Sequence, residues 1–244
     1  MTDMPIIRTV GLEGLLVTFA PKMTDAANRA ALAFRAAVDA QQWDEVSESA
    51  STLVSAYFRI DLVEHAPEPL IDRLQELAFS QDWLKSSLPP GRTLWTVPAA
   101  FGGVRAPQLE EAAEAAGLTV SAALADLTST RLRVQTIGFA PGQPYLGHLS
   151  EAWDIPRQKA LSSNIPRGAL VAAVRQICLF AKDTPTGWRH VGQTAFRTFA
   201  PDAAEPFALS PGDELQFAEI SEGELAKLEA SGDPLGGAEA KEIP

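Results

Sequence analysis

The chain carries a single cysteine, Cys178, in 244 residues, so no internal disulfide can form and a reducing compartment is expected. Cys178 sits in the apolar run "VRQICLF" and reads as a small buried core thiol. Histidine is scarce as well, with His65, His148 and His190 the full set, and aromatic residues make up 7% of the chain. Positive charge is in deficit: 20 Lys and Arg against 31 Asp and Glu give a formal net charge of −11. Such a field repels nucleic-acid phosphates and anionic lipid, so neither nucleic acid nor membrane is an expected partner, and an anionic ligand must meet a local basic site. No run approaches the roughly 18 apolar residues needed to span a bilayer. The opening "MTDMPIIRTV" lacks a basic segment followed by an apolar core, and a cytoplasmic protein is expected. Also missing are G-x-x-x-x-G-K-[ST], G-x-S-x-G, H-E-x-x-H and paired C-x-x-C, which argues against a self-contained ATPase, serine hydrolase or zinc enzyme.

What is present suffices for two cores: 46% of the 244 residues are hydrophobic. The stretch Val10 to Phe19 reads as a strand that ends at Ala20-Pro21. A helix capped by Thr24 or Asp25 follows, with Ala27, Ala30, Ala31, Phe34 and Val38 forming its buried stripe. "STLVSAYFRIDL" returns to strand composition, and "PEPLIDRLQELAF" places Leu70, Ile71, Leu74, Leu77 and Ala78 on one helical face. Pro89-Pro90-Gly91 continues neither element, which predicts a first α/β domain over residues 1–88.

A second domain is expected over residues 92–222. "TLWTVPAAFGG" reads as a strand, "APQLEEAAEAAGL" as a short helix with Pro107 in its first turn and Gly117 at its C-terminal cap, and "TVSAALADL" as another helix. Beyond Thr130, short apolar runs punctuated by Pro and Gly suggest a barrel or sandwich. The tail, residues 223–244, holds little apolar surface and is expected to be mobile.

One segment stands apart. "GFAPGQPYLGHL" sets glycine and proline breakers around two aromatic rings, too stiff for a linker and too broken for a strand. Glycines allow positive φ or close backbone approach while Pro141 and Pro144 fix φ, so the loop can aim its amides at an anion or a carbonyl. The bland alternative is a rigid barrel corner plugged by Phe139 and Tyr145.

The order of "GFAPGQPYLGHL", "DIPR", "IPRGAL", "QICLF", "TPTGWRHVGQT" and "LSPGDELQF" resembles the KipI family, also called allophanate hydrolase subunit 1 or the B subunit of 5-oxoprolinase. Its pattern runs G-F-x-P-G-F-x-Y-L-G, P-R, V-P-x-G-S-V-G-I-x-G-x-Q-T-G-I-Y-P, S-P-G-G-W-x-x-I-G-R-T and P-G-D-x-V-x-F. The resemblance implies an α+β chain with a ferredoxin-like N-terminal domain and a cyclophilin-like β-barrel. Matched positions include Gly142, Tyr145, Gly147, Arg157, Gln176 and Trp188, and these are the implied substrate-binding residues; no catalytic residue and no metal ligand is assigned. Leu127 and Leu132 stand where members usually show a histidine and a tyrosine, and Val174-Arg175 replaces a glycine pair, so that a flexible approach becomes an apolar strand with an arginine.

Arg157 can grip a carboxylate in bidentate fashion or serve a structural ion pair; Gln176 can bind an amide from the barrel wall or satisfy nearby backbone. Trp188 can wall a pocket or fill a corner, and His148 and His190 read as ordinary exposed histidines. The resemblance implies the B-type component of an ATP-dependent 5-oxoprolinase, opening 5-oxoproline to glutamate with a homologous C-type subunit and an A-type subunit. ATP then enters through the assembled complex, and the chain alone is inactive. The alternatives are a carboxyltransferase subunit of a biotin-dependent urea or amide carboxylase, and a non-catalytic inhibitor of a histidine kinase.

Overall fold

The computed structural model describes residues 5–244. They form two compact units, the first ending at Pro90 and the second beginning at Gly91.

The first unit is a four-stranded antiparallel sheet with two helices: β1 (Ile6–Val10), β2 (Gly14–Thr18), α1 (Asp25–Asp39), β3 (Val46–Ser51), β4 (Ser55–Ile60) and α2 (Pro67–Ala78). The expected single strand over Val10 to Phe19 is instead the second arm of a hairpin, because Gly11 at φ +64° turns the chain and pairs Ile6 with Thr18. Thr24 caps α1 by accepting the Ala27 N–H at 3.1 Å, as Thr does at a helix start. The sheet runs β1-β2-β4-β3, the spatial order of a ferredoxin-like domain whose outer strand comes from the N-terminal hairpin. Its core packs Phe34 against Phe19, Phe58 and Trp83. Strand β3, "VSESAS", escapes a pattern search because it is a polar edge strand held by backbone pairing to β4.

The second unit is the cyclophilin-like barrel. It contains β5 (Arg92–Phe101), α3 (Leu109–Ala115), α4 (Val120–Ser129), β6 (Leu132–Ile137), β7 (Pro144–Gly147), β8 (Ser162–Ile165), β9 (Ala169–Ala173), β10 (Gln176–Leu179), β11 (Thr184–Thr186), β12 (Arg189–Gln193), β13 (Glu214–Glu219), α5 (Glu222–Ser231) and β14 (Glu239–Ile243). Seven strands in the order β12-β9-β10-β7-β6-β13-β5 close through Gly192 opposite Phe101, while β8 and β11 form a separate two-stranded ribbon. Pairing is antiparallel throughout except for β13 beside β5. Pro107 lies one residue before the Gln108 cap of α3, not in its first turn.

Strand β9 shows why "ALVAA" reads as an unbroken apolar run. Alternate side chains point to opposite faces. Leu170 and Ala172 join the main core with Leu146, Ile177, Val191 and Phe217, whereas Ala169, Val171 and Ala173 join a smaller cluster with Cys178, Phe180 and Trp188. Leu127 and Leu132 are buried in the main core.

The segment expected to be mobile is folded. Ser221 and Glu224 form a reciprocal capping box at the start of α5, Gly232 ends the helix in the left-handed region, and β14 pairs with the first half of β5. Backbone pairing and two buried side chains, Leu225 and Ala238, replace the apolar stripe that the expectation required.

Candidate functional site: a cationic cavity beside the barrel

Residues Gly138 to Gln143 form a tight loop between β6 and β7, closed by the Gly138 N–H donating to the Gln143 carbonyl at 3.0 Å and the Gln143 N–H to the Ala140 carbonyl at 3.1 Å. Gly142 holds φ +69°, and a Cβ there would lie 2.7 Å from the Thr198 carbonyl oxygen, so glycine is required twice over. The rest of the segment departs from the loop reading: Pro144 to Gly147 is strand β7, in register with β10 so that Tyr145 faces Cys178 and Gly147 faces Gln176.

Tyr145 and Cys178 lie at the floor of a cavity of about 310 Å³, at the small end of the ~300–1,000 Å³ typical of small-molecule sites. Trp188, Phe180 and the β11 ribbon wall it, and the exposed rings and chains of Phe139 and Leu161 rim it. Arg157 is the sole charged residue of the lining. Its guanidinium stacks over the Trp188 ring at 5.3 Å from the centroid, which holds it in place without neutralising it. Among the described residues Arg157 makes no ion pair, so the structural-pair alternative does not apply.

The backbone around Arg157 is fixed from two sides. Arg189 donates through Nη1 to the Pro156 carbonyl at 2.7 Å and through Nε to Glu111 at 2.9 Å, and the Gln158 N–H donates to the Gly187 carbonyl at 2.6 Å. Burial pushes the Cys178 thiol far above the ordinary thiol range, against weaker opposing effects from Gln143 and Arg157. It is therefore a neutral floor group, not a nucleophile. Burial, then the neighbouring Cys178, also raises Tyr145, which stays a protonated phenol.

The structure thus groups three of the six expected binding residues, Tyr145, Arg157 and Trp188, around one cavity. Gln176 and Gly147 lie two residues further along the same two strands, β10 and β7, at an amide cluster. There the Gln176 Nε2 donates to Gln135 Oε1 at 2.6 Å, and the Gln135 Nε2 stands 3.2 Å from a His148 ring nitrogen. Gly147 makes room for that cluster, since a Cβ would come within 2.5 Å of the Gln135 amide. Gly142 serves the loop turn and does not line the cavity.

Two further expectations are corrected. His190 is not exposed: it is 3% accessible on β12, and burial lowers its proton affinity. Val174-Arg175 is not a run of strand but the two-residue tip joining β9 to β10, at φ +47° and +63°. The tip amides donate to the carbonyls of Ile155 and Trp153, each at 2.9 Å.

The residue that sequence reasoning missed is Gln143. It is 1% accessible, lines the cavity, and its Oε1 has no hydrogen-bond partner among the described residues. The signal was a polar residue at the second phenylalanine of the G-F-x-P-G-F pattern.

The family model "Carboxyltransferase domain, subdomain C and D" matches residues 5–209. Among curated proteins, the B subunit of 5-oxoprolinase from Bacillus subtilis (strain 168) is 26% identical over 230 residues, 88% of this chain and 93% of that protein. The protein of the same name from Escherichia coli O157:H7 is 32% identical over 167 residues, 67% of this chain and 75% of its own. Among solved structures, TTHA0988 superposes with a TM-score of 0.71 at 24% identity over 88% of this chain, which spans 40% of that longer chain. Kluyveromyces lactis urea carboxylase gives 0.70 at 16% identity over 97% of this chain and 24% of its own. These two likenesses are of fold.

Proposed function

This chain belongs to the family of carboxyltransferase domains, subdomains C and D, and from that membership we propose that it is the B-type component of a heteromeric 5-oxoprolinase. The observation that carries the reading is the near end-to-end similarity to a 5-oxoprolinase B subunit, over 88% of this chain and 93% of that one. The cavity agrees with it. 5-Oxoproline is a small, flat, five-membered lactam with one carboxylate; Arg157 offers the paired donors a carboxylate takes, and Tyr145 and Trp188 offer apolar walls.

In this reading the chain binds and orients the lactam while partners complete the reaction, in which water opens the amide C–N bond and ATP supplies the driving force. The cavity does not fit ATP itself: it holds one cationic residue, has no glycine-rich phosphate cradle, and its volume of about 310 Å³ suits a far smaller molecule. In this reading the nucleotide enters through the assembled complex, with an A-type subunit and a homologous C-type subunit. A second reading, a carboxyltransferase subunit of a biotin-dependent urea or amide carboxylase, draws on the fold shared with urea carboxylase over 97% of this chain.

Reconstitution separates the two. ATP-dependent conversion of 5-oxoproline to glutamate is expected with the A-, B- and C-type chains together and none with this chain alone. Turnover by the isolated chain would refute the division of labour. Silence of the complete set, with carboxylation of urea in the presence of a biotin carrier, would establish the second reading instead.

A further inference from the structure

The polar groups facing the cavity are unequally employed. Thr184 donates to the Lys182 carbonyl, Thr186 accepts the Trp188 N–H, and Gln158 donates to Glu111. Two groups stand apart: the Arg157 guanidinium, which has no carboxylate among the described residues, and Gln143, whose amide reaches Tyr145 and Cys178 but whose buried Oε1 has no donor among the described residues. A buried carbonyl left unsatisfied is costly, and a ligand N–H that pairs with it recovers that cost on binding. A guanidinium alone in a small cavity of a chain with net charge −11 is a local anion trap in a field that otherwise repels anions.

We propose that the cavity selects small carboxylates carrying an amide N–H on the carbon that bears the carboxylate, with Arg157 holding the carboxylate and Gln143 Oε1 accepting that N–H. Gln143 is then a specificity-determining residue. An ester or an N-alkylated analogue leaves its carbonyl unpaired, and a neutral amide leaves Arg157 unpaired. The two groups make the site read both ends of an N-acyl amino acid, cyclic or open. The hollow of about 500 Å³ lined by Arg167, Lys182 and Asp183 lacks this combination, since its lining includes a carboxylate of its own and no amide side chain. The inference deepens the 5-oxoprolinase reading and rests on it for the choice of the cyclic probe.

The test is calorimetric titration of the purified chain with 5-oxoproline, N-methyl-5-oxoproline, 5-oxoprolinamide and the open ureide N-carbamoylglycine. The wild type is expected to bind 5-oxoproline at least about tenfold more tightly than the N-methyl analogue, the ratio that 1.4 kcal/mol gives. In Gln143→Leu that ratio falls below about twofold while preference for the carboxylate over the carboxamide remains. In Arg157→Gln the reverse holds. The wild-type comparison among ligands needs no variant, so a poorly folded mutant does not spare the proposal. A tenfold N-methyl penalty that persists in Gln143→Leu, or no binding of any of the four probes, overturns it. If N-carbamoylglycine binds with the Gln143 dependence and 5-oxoproline does not, the site stands and the 5-oxoprolinase reading falls. If the reconstituted complex turns over 5-oxoproline but the N-methyl analogue binds this chain equally well, the reading stands and this inference falls.

Discussion

Val174 shows how much a single residue can ask of its surroundings. A two-residue hairpin tip with both φ values positive favours Asn-Gly, and a β-branched residue in the left-handed region costs about 1–2 kcal/mol. The tip keeps its geometry because both of its amides donate to the 153–155 segment, the Leu149 N–H donates to the Arg175 carbonyl, and Arg175 Nε donates to the Leu149 carbonyl at 3.2 Å. Four bonds outweigh one strained residue. Val174 is 42% accessible, so replacing it loses little burial. Val174→Asn is expected to raise stability by roughly 0.5–1.5 kcal/mol, because asparagine tolerates the left-handed region. Urea midpoints of the two proteins measure this, and an unchanged or lower midpoint would show that the tip is not strained. The same residues illustrate what sequence hides: "AVRQIC" carries no glycine, so a turn that backbone hydrogen bonds impose from 149–155 was invisible to a reading based on turn composition.

At the scale of elements, α5 and β14 matter most to the second unit. α5 buries only Leu225, and β14 has no apolar alternation, yet β14 covers the edge of β5 from Thr96 to Arg92. Arg105 pairs with Glu229, Arg92 binds the Pro244 carbonyl, and the Arg197 N–H donates to the Pro234 carbonyl at 2.8 Å. Truncation after Ile220 removes one buried leucine, worth about 1.5–3 kcal/mol, and bares a strand edge. The expected outcome is a fall of roughly 5–10 °C in the melting temperature of the second unit, at about 2–4 °C per kcal/mol, with increased aggregation. A truncated chain that melts with the full one would return the segment to the status of a dispensable tail. The expectation of a mobile tail passed over the local signals of the capping box "SEGE" and Gly232, and the strand offered none, since an edge strand held by its backbone leaves no hydrophobic pattern.

At the scale of the whole molecule, acid sensitivity follows from one buried base. His190 is 3% accessible and its Nε2 has no hydrogen-bond partner among the described residues; burial, against weaker opposing hydrogen bonds from Gln193 and Gly192, holds its proton affinity below that of an ordinary histidine near 6.5. The unfolded chain takes up a proton as pH falls below about 6.5 while the folded chain resists, so stability is full above that pH and declines below it. A loss of stability between pH 7 and 5.5 is expected in the wild type, and the part of it due to this residue is expected to vanish in His190→Gln. Asp213 acts in the opposite sense: burial raises its carboxyl above the usual range despite the Ser210 and Thr93 amides it accepts, so its protonation stabilises the folded chain at lower pH. It is present in both proteins and cancels in the comparison. Equal pH slopes for wild type and His190→Gln, from urea unfolding at the two pH values, would remove His190 as the cause.

The sequence alone pointed to the helices of the first unit and to a break at Pro89-Pro90-Gly91, because apolar spacing, breakers and caps act over a few residues; it left barrel and sandwich open, and the choice of barrel came from the resemblance carried by the family motifs. It also singled out Arg157, Tyr145 and Trp188. Which of the motif residues share a cavity was decided only by tertiary structure. Strand register puts Tyr145 opposite Cys178 but Gly147 opposite Gln176, so neighbours in the motif divide between two sites set two residues apart along the same strand pair. Closure of the barrel buried His190, and the fold around the 138–143 loop left Gln143 Oε1 without a donor. A hydrogen bond's absence depends on every atom within reach, and those atoms come from segments far apart along the chain.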